Sequence, residues 1–403
     1  MNPPFVPGRD RVFYTRAVYD EEEIAAVVQC LRDGWLGPGA LTESFENQIA
    51  ALFGKRYGLM VNSGSSANLI AMEIAHLPPG SEVIAQACTF PTTLNPIIMK
   101  GCIPVFVDSK VGTYNLDVDQ LEAAISPQTK AIFISHAVGS INDMERIRAI
   151  CDRYRLLFLE DSCDTHGSLF DGKPTGCWSD ITTTSFYASH NITAGGGGGM
   201  VMVNDNALIR EAKIYRDWGR ALPENNDEDM EQRFSFRLND TDYDGKFYYL
   251  RMGYNFKPVE MQAAFGLVQL KKLPYFNTIR ARNFNRLYQF LSRYPEHFIL
   301  PESHPKATGY WLAFPVTLRE TSPIVRRDFL TYLERNKIQT RLLFAGNVRY
   351  HEPYQHIPCR VHGTLTGADT IMRRTFLIGC HHGLTEEMLT YMEHIIAQYI
   401  ERL

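Results

Sequence analysis

The chain has 403 residues, of which 45% are hydrophobic, and its 41 basic and 45 acidic residues give a formal net charge of −4. This composition is that of an ordinary globular enzyme, with enough length for a large domain and a smaller one. No cluster of basic residues and no apolar run of about 18 residues occurs, which argues against a nucleic-acid partner and against a membrane partner.

The eight cysteines lack C-x-x-C spacing, so we expect neither a zinc site nor a disulfide framework, and we propose no metal ligands. The N-terminal residues MNPPFVPGRD contain no apolar signal segment. We therefore expect a cytoplasmic protein with reduced thiols.

The first predicted elements are two helices joined by a loop. An acidic first turn after Asp20 and a glycine at Gly34 mark the first helix, and an amphipathic second helix begins near Thr42. The loop between them, residues 35–39, is rich in glycine.

A predicted strand at residues 57–61 leads into the turn N-S-G-S-S-A-N, which opens an apolar helix. Small residues at a helix N-terminus present backbone N–H groups and a favourable dipole to a phosphate. Gly64, Ser65 and Ser66 are therefore candidate phosphate-binding residues, although serine also caps many helices that bind nothing.

Strands and helices then alternate, a pattern that predicts a mostly parallel sheet covered by helices. The predicted strands are residues 82–86, 103–107, 129–135, 156–159 and 181–186. The predicted helices are residues 95–100, 118–124, 144–154, 206–218, 260–273 and 276–292.

Polar residues collect between Glu160 and Val203. One apolar strand delivers Glu160 and Asp161 at its end, and the next delivers Tyr187, His190 and a run of five glycines. Because ligands bind at the carboxyl ends of strands in open α/β sheets, the sequence predicts a cofactor site here.

This stretch resembles the fold-type I pyridoxal phosphate (PLP) enzymes, specifically the DegT/StrS-like sugar aminotransferases. The family pattern E-D-x-A/C-x-x-x-G is similar to residues 160–167, and S-F-x-x-x-K-N-I-T-x-G-E-G-G is similar to residues 185–198. This chain has His190 where the family keeps its Schiff-base lysine, and Gly196 where it usually keeps glutamate.

The resemblance implies an α/β fold with a large domain, in which helices sandwich a mostly parallel seven-stranded sheet, and a smaller α/β C-terminal domain. We place the large cofactor-binding domain with its N-terminal arm at residues 1–264 and the small domain at residues 265–403.

The resemblance also implies residues that bind the cofactor. Asp161 would lie beside the pyridine nitrogen of PLP, and Ser185 would join the phosphate turn. Phe90 would stack on the pyridine ring, or else belong to the core. His166 would brace Asp161 or the pyridoxal 3-hydroxyl, or else be structural.

Further implied roles concern the substrate and a second subunit. Asn255, in the motif G-Y-N-F-K, would reach the cofactor phosphate of the neighbouring subunit, which implies a homodimer with shared active sites. Trp35, Tyr187 and Arg341 would contact a nucleotide-sugar substrate, with an ordinary surface arginine as the alternative for Arg341.

The exchange at His190 points to the branch of the family that removes a hydroxyl. Imidazole cannot form the stable linkage that lysine forms with PLP, but it can still move a proton. Such a site favours noncovalently bound pyridoxamine phosphate (PMP) and C3 dehydration of a nucleotide-activated 4-keto-6-deoxyhexose, as in the CDP- and GDP-linked 3-dehydratases of deoxysugar and lipopolysaccharide O-antigen biosynthesis.

Several such enzymes hold an iron–sulfur cluster on cysteines in the segment that follows residue 218. This chain has no cysteine between Cys177 and Cys359, so we expect no cluster there. An amino donor such as glutamate would then regenerate PMP. Two alternatives remain open: a sugar-nucleotide aminotransferase that uses Lys173 or Lys213, and a non-catalytic pseudoenzyme that binds a sugar nucleotide.

Overall fold

The structure is a computed structural model that describes residues 4–222 and 229–403. Residues 223–228, part of the acidic segment after residue 218, lie outside the described residues. No helix in the described ranges is both long enough and apolar enough to cross a membrane.

The described helices of four or more residues follow in chain order. They are Glu21–Asp33 (α1), Ala40–Leu52 (α2), Gly64–Ile74 (α3), Pro91–Met99 (α4), Val118–Leu121 (α5), Met144–Tyr154 (α6), Asn206–Arg216 (α7), Met230–Arg233 (α8), Glu260–Leu291 (α9), Arg326–Arg335 (α10), Glu352–Gln355 (α11), Thr366–Arg374 (α12) and Glu386–Ile400 (α13).

The described strands also follow in chain order. They are Tyr57–Val61 (β1), Glu82–Gln86 (β2), Ile103–Val107 (β3), Thr129–Ser135 (β4), Leu157–Asp161 (β5), Leu169–Phe170 (β6), Lys173–Pro174 (β7), Ile181–Ser185 (β8), Gly199–Val203 (β9), Phe236–Leu238 (β10), Thr241–Tyr243 (β11), Phe298–Ile299 (β12), Ala307–Thr308 (β13), Phe314–Leu318 (β14), Arg360–Val361 (β15) and Thr375–Ile378 (β16).

The large sheet confirms the α/β fold and the mostly parallel topology. Its strand order is β1-β9-β8-β5-β4-β2-β3-β15, and β9 alone of these strands runs antiparallel to its neighbours. The sheet has eight strands rather than the seven expected, because the two-residue strand β15 from the C-terminal part pairs with β3. A strand this short has too little pattern to be found in the sequence.

A charged pair fixes β15 to the sheet. The guanidinium of Arg360 makes two hydrogen bonds to the carboxylate of Glu82, each 2.7 Å long, and thereby ties the edge strand to β2.

The central strands of the sheet are buried. Burial is complete along β2 and nearly so along β3, as expected for parallel strands covered on both faces.

Strand direction sets the position of the site. Strands β1, β4, β5 and β8 share one direction, so their carboxyl ends meet at the same edge of the sheet. The turn after β1, the acidic end of β5 and the hydroxyl end of β8 are brought together there.

Helix α9 differs from the sequence prediction of two separate helices. It runs unbroken for 32 residues with Pro274 inside it. An internal proline costs about 3 kcal/mol of helix stability, and packing against α1 and α2 on one half and α13 on the other offsets this cost. The predicted domain boundary between residues 264 and 265 therefore falls within a continuous helix.

The C-terminal part contains an antiparallel sheet of order β12-β14-β16. Helices α10 and α13 pack together beside it, and their apolar faces share one core with the sheet. Members of this core include Phe314, Phe329, Leu333, Phe376 and Leu389.

Candidate functional site

A cavity of about 600 Å³ lies at the carboxyl edge of the large sheet, closed on the other side by the C-terminal part of the chain. Most of the residues predicted for the site line it. They are Gly64, Ser65, Phe90, Asp161, Ser185, Tyr187, His190 and Arg341.

At one end of the cavity, the floor is the turn that opens helix α3, and it has the shape of a site for a small anion. Helix α3 begins at Gly64, and a methyl group added there would lie 2.6 Å from Cβ of Ser185, so the close approach requires glycine. Gly64, Ser65 and the end of β8 therefore form a cup of backbone and hydroxyl groups at a helix N-terminus, as phosphate binding needs.

Ser66 faces away from this cup. Its backbone N–H donates to Oγ of Ser63 at 3.1 Å, and its hydroxyl donates to Oδ1 of Asn62 at 2.7 Å. Ser66 does not line the cavity, because its backbone N–H and its hydroxyl are engaged by Ser63 and Asn62 in the first turn of α3.

Asp161 is held in place by neighbours that the sequence did not indicate. Its Oδ2 accepts hydrogen bonds of 2.8 Å from both Nδ2 of Asn68 and Oγ1 of Thr93, and its Oδ1 accepts from the backbone N–H of Cys163. The carboxylate is buried and ends β5. The sequence held one indication of the contact with Asn68, because Asn68 is the last residue of the N-S-G-S-S-A-N turn.

A second acid, Glu160, lies fully buried next to Asp161. Burial raises its pKa, but hydrogen bonds from His136 and from the hydroxyl of Ser162 outweigh that effect and lower it to about 2. His136 also lines the cavity, and its Nδ1 accepts from the backbone N–H of Asn142 at 3.2 Å. Its Nε2 therefore carries the proton and faces Glu160.

His190 lies in the turn after β8 with 15% of its side chain exposed. Its Nδ1 lies 2.9 Å from Oδ1 of Asp164, an ion-pair distance at which the angle between the two groups falls short of a hydrogen bond. Tyr187 is 60% exposed beside it, with the two rings 6.5 Å apart. The sequence pattern indicated no role for Asp164.

His166 does not line the cavity. Its ring is fully buried between Phe53 and Phe186, and its Nε2 lies 3.1 Å from Oγ1 of Thr184. Burial lowers the pKa of His166 well below its ordinary value, so the ring is neutral. This placement corresponds to the structural alternative rather than to direct contact with a ligand.

The mouth of the cavity is aromatic and basic. Phe90 is 51% exposed and meets Phe344 edge to face at 6.1 Å. The guanidinium of Arg341 lies 5.1 Å from the ring of Tyr14, a residue of the N-terminal arm that the sequence did not indicate. These groups suit an anionic, aromatic ligand such as a nucleotide.

Trp35 and Asn255 lie outside this cavity. Trp35 is 55% exposed and lines a separate cavity of about 520 Å³ together with Lys257, and Asn255 is exposed on the surface. A single chain therefore does not bring these two residues to Asp161, and their predicted roles involve a second subunit.

The residues present fit PLP or PMP. The glycine-lined cup suits the phosphate, the buried Asp161 suits a pyridinium nitrogen, and Phe90 offers an aromatic face. None of the described residues that line the cavity is a lysine.

Comparisons with known proteins identify the family of this chain. A sequence model of the DegT/DnrJ/EryC1/StrS aminotransferase family matches residues 18–397. The lipopolysaccharide biosynthesis protein RfbH of Salmonella typhimurium is 40% identical over 401 residues, covering 96% of this chain and 92% of that protein. A dTDP-4-dehydro-2,6-dideoxy-D-glucose 3-dehydratase of Saccharopolyspora spinosa is 36% identical, covering 100% of this chain and 89% of that protein.

Solved structures share the fold. A GDP-4-keto-6-deoxymannose-3-dehydratase with a trapped PLP–glutamate geminal diamine superposes with a TM-score of 0.86 at 25% identity, covering 95% of this chain and 99% of that chain. Two of the similar proteins are named as 3-dehydratases, and an aminotransferase of Streptoalloteichus hindustanus, 24% identical, shares the fold. This chain belongs to the DegT/DnrJ/EryC1/StrS aminotransferase family.

Proposed function

We propose that this protein catalyses the PMP-dependent removal of the C3 hydroxyl from a nucleotide-activated 4-keto-6-deoxyhexose. The observation that carries the proposal is His190, which lies in the cavity with Asp161 where the family motif has lysine. Two of the relatives described above are named as 3-dehydratases of such sugars, which supports this branch of the family.

Each residue has a task in the proposed reaction. When bound, PMP supplies an amine for the 4-keto carbon and a ring that accepts electrons. Gly64, Ser65 and Ser185 hold the phosphate, and the carboxylate of Asp161 keeps the pyridine nitrogen protonated. His190 would take up a proton at Nε2 as a base and would later give one back as an acid.

The substrate is held at the mouth of the cavity. Arg341 pairs with the diphosphate, and Tyr187 contacts the sugar from its exposed position beside His190. Trp35 and Asn255 complete the site of a partner subunit in a homodimer.

Glutamate is the proposed amino donor, so no reductase is needed. The trapped PLP–glutamate species in the related 3-dehydratase supports this route. The sequence has no cysteine between Cys177 and Cys359, which supports a route without a thiolate-bound cluster in the segment after residue 218.

The aminotransferase alternative requires a lysine at the cofactor. Lys173 lies against the ring of Trp178, and Lys213 lines the separate cavity that contains Trp35, so neither lines the cavity of His190. Nothing among the described residues of the site favours this alternative or the pseudoenzyme.

The test is to incubate the purified protein with PLP, glutamate and either a CDP- or a GDP-linked 4-keto-6-deoxyhexose. We expect a 3-deoxy sugar, 2-oxoglutarate and ammonia without NADH, and His190→Asn should abolish all three. An amino-sugar product, or a strict requirement for a reductase and NADH, would contradict the proposal. Borohydride trapping adds a control, since only His190→Lys should link cofactor to protein.

A further inference from the structure

Asp164 lies just beyond β5, and its carboxylate faces the imidazole of His190. Oδ1 of Asp164 and Nδ1 of His190 are 2.9 Å apart, and 6% of the Asp164 side chain is exposed. Both residues line the cavity. The separation of these two atoms already lies in the range of charge-assisted hydrogen bonds.

A buried cation lies behind this pair. Arg280 of α9 is fully buried, and its Nη1 donates to the backbone carbonyls of Trp311 and Leu312. Its Nε and Nη2 have no hydrogen-bond acceptor within residues 4–222 and 229–403. Burial lowers the pKa of Arg280 to about 10, while the charge of Asp164 acts in the opposite direction.

An uncompensated guanidinium in the interior is costly, and an opposite charge reduces that cost. Leu312, whose carbonyl accepts from Arg280, lines the same cavity as Asp164. The guanidinium therefore lies behind the cavity wall, on the side of Asp164.

Asp164 is the carboxylate beside Nδ1 of His190, and three other titratable groups near His190 do not take its place. The ring of His166 is 6.5 Å away and neutral because burial lowers its pKa. The ring of Tyr187 is also 6.5 Å away and largely in solvent. The carboxylate of Asp161 is engaged by Asn68 and Thr93, as described above.

We propose that Asp164 is a positioning residue for His190, accepting a hydrogen bond from Nδ1–H while Arg280 compensates the carboxylate charge from behind. This arrangement fixes the ring and leaves Nε2 as the nitrogen that exchanges protons in the cavity. The proposal rests on the proposed function only for the identity of the proton that Nε2 moves.

The test is nitrogen-15 NMR of the histidine-labelled, PLP-loaded protein, with His190→Asn identifying the signals of His190. In the wild-type protein we expect neutral His190 to carry its proton on Nδ1. In Asp164→Asn the proton of neutral His190 should be distributed more evenly between Nδ1 and Nε2. Asp119→Asn is the matched control, because Asp119 forms an exposed pair with Arg146 and lines no part of this cavity.

Kinetics supply a second readout. Asp164→Asn should lower kcat roughly 10- to 100-fold, the usual effect of removing a group that orients a histidine, while KM changes much less. An Nε2-protonated neutral His190 in the wild-type protein would overturn the proposal, and that measurement needs no variant that must fold. Unchanged nitrogen signals in Asp164→Asn would overturn it too.

The two proposals can fail separately. Altered nitrogen signals in Asp164→Asn with unchanged turnover would support the positioning role and count against the proposed proton transfer by His190. Altered signals with a lower kcat would support both.

Discussion

Nδ2 of Asn68 donates a hydrogen bond of 2.8 Å to Oδ2 of Asp161, and so joins helix α3 to the end of β5. The same helix begins at the glycine turn, which means that one rigid element places both the phosphate cup and the partner of the acid. The separation between cup and carboxylate is thus set by the fold rather than by a flexible loop.

Removing the second donor to Asp161 should weaken cofactor binding. Thr93→Val keeps the side-chain shape but deletes a hydrogen bond to a charged group, which is worth about 1.5 to 3 kcal/mol. We expect the Kd for PLP, measured by equilibrium dialysis, to rise about tenfold or more. Thr331→Val, which deletes an exposed hydroxyl in α10, is the control. Equal affinities in both variants would contradict the assigned role of Thr93.

The close approach of Gly64 to Ser185 makes a paired substitution informative. Gly64→Ala should lower the free energy of unfolding by about 1 to 3 kcal/mol, because the new methyl group overlaps Cβ of Ser185. Ser185→Gly in the same protein removes the overlapping atom and should recover part of that loss. Denaturant titrations of the single and double variants test this, and strictly additive losses would show that the contact is not the cause.

The salt bridge that attaches β15 should show a defined pH dependence. The hydrogen bonds from Arg360 lower the pKa of Glu82 from 4.5 to about 2. A lowered carboxyl pKa stabilises the fold above about pH 4.5, and this contribution disappears as the pH falls towards 2. Arg360→Met should therefore cost about 1 kcal/mol at pH 7, since the pair is partly exposed, and progressively less below pH 4.5.

Chemical denaturation over that pH range measures the effect. Arg146→Met is the matched control, because its pair with Asp119 is largely exposed and should contribute less than about 0.5 kcal/mol at any pH. A difference between wild type and Arg360→Met that grows on acidification would refute the assignment.

Two adjacent buried histidines predict a loss of stability in mild acid. Burial lowers the pKa of His381 to about 3 and that of His382 to about 2, from an ordinary 6.5. Below pH 6.5 the unfolded chain binds protons that the folded chain does not, so the free energy of unfolding falls as the pH drops towards 3. His382→Leu should make this fall shallower between pH 7 and 5, whereas the exposed His394→Leu should not.

Local sequence was enough to predict most of the large sheet, and eight of the residues predicted for the site line one cavity. Strands such as β1, β2 and β3 are short apolar runs between turn residues, Asp161 is the last residue of β5, and His190 lies in the turn after β8. Parallel strands then bring their ends together without further information.

The missed features depend on contacts between distant parts of the chain. Thr93 reaches Asp161 across the sheet, and Arg280 reaches the cavity wall from α9, pairings that no local pattern encodes. Helix α9 was divided at Pro274 because a proline ordinarily ends a helix, and only packing along its whole length keeps it continuous.

The N-terminal and C-terminal parts of the chain each contribute a pairing to the other part. Val12 of the N-terminal arm pairs with Ile338, and β15 returns from the C-terminal part to lengthen the large sheet. A fragment ending at residue 264 would leave β3 as a bare edge prone to aggregation, and a fragment starting at residue 265 would lose the backbone partner of Ile338. Neither half is a transferable module, so chimaeras that exchange the C-terminal part between relatives should also exchange the arm that precedes α1.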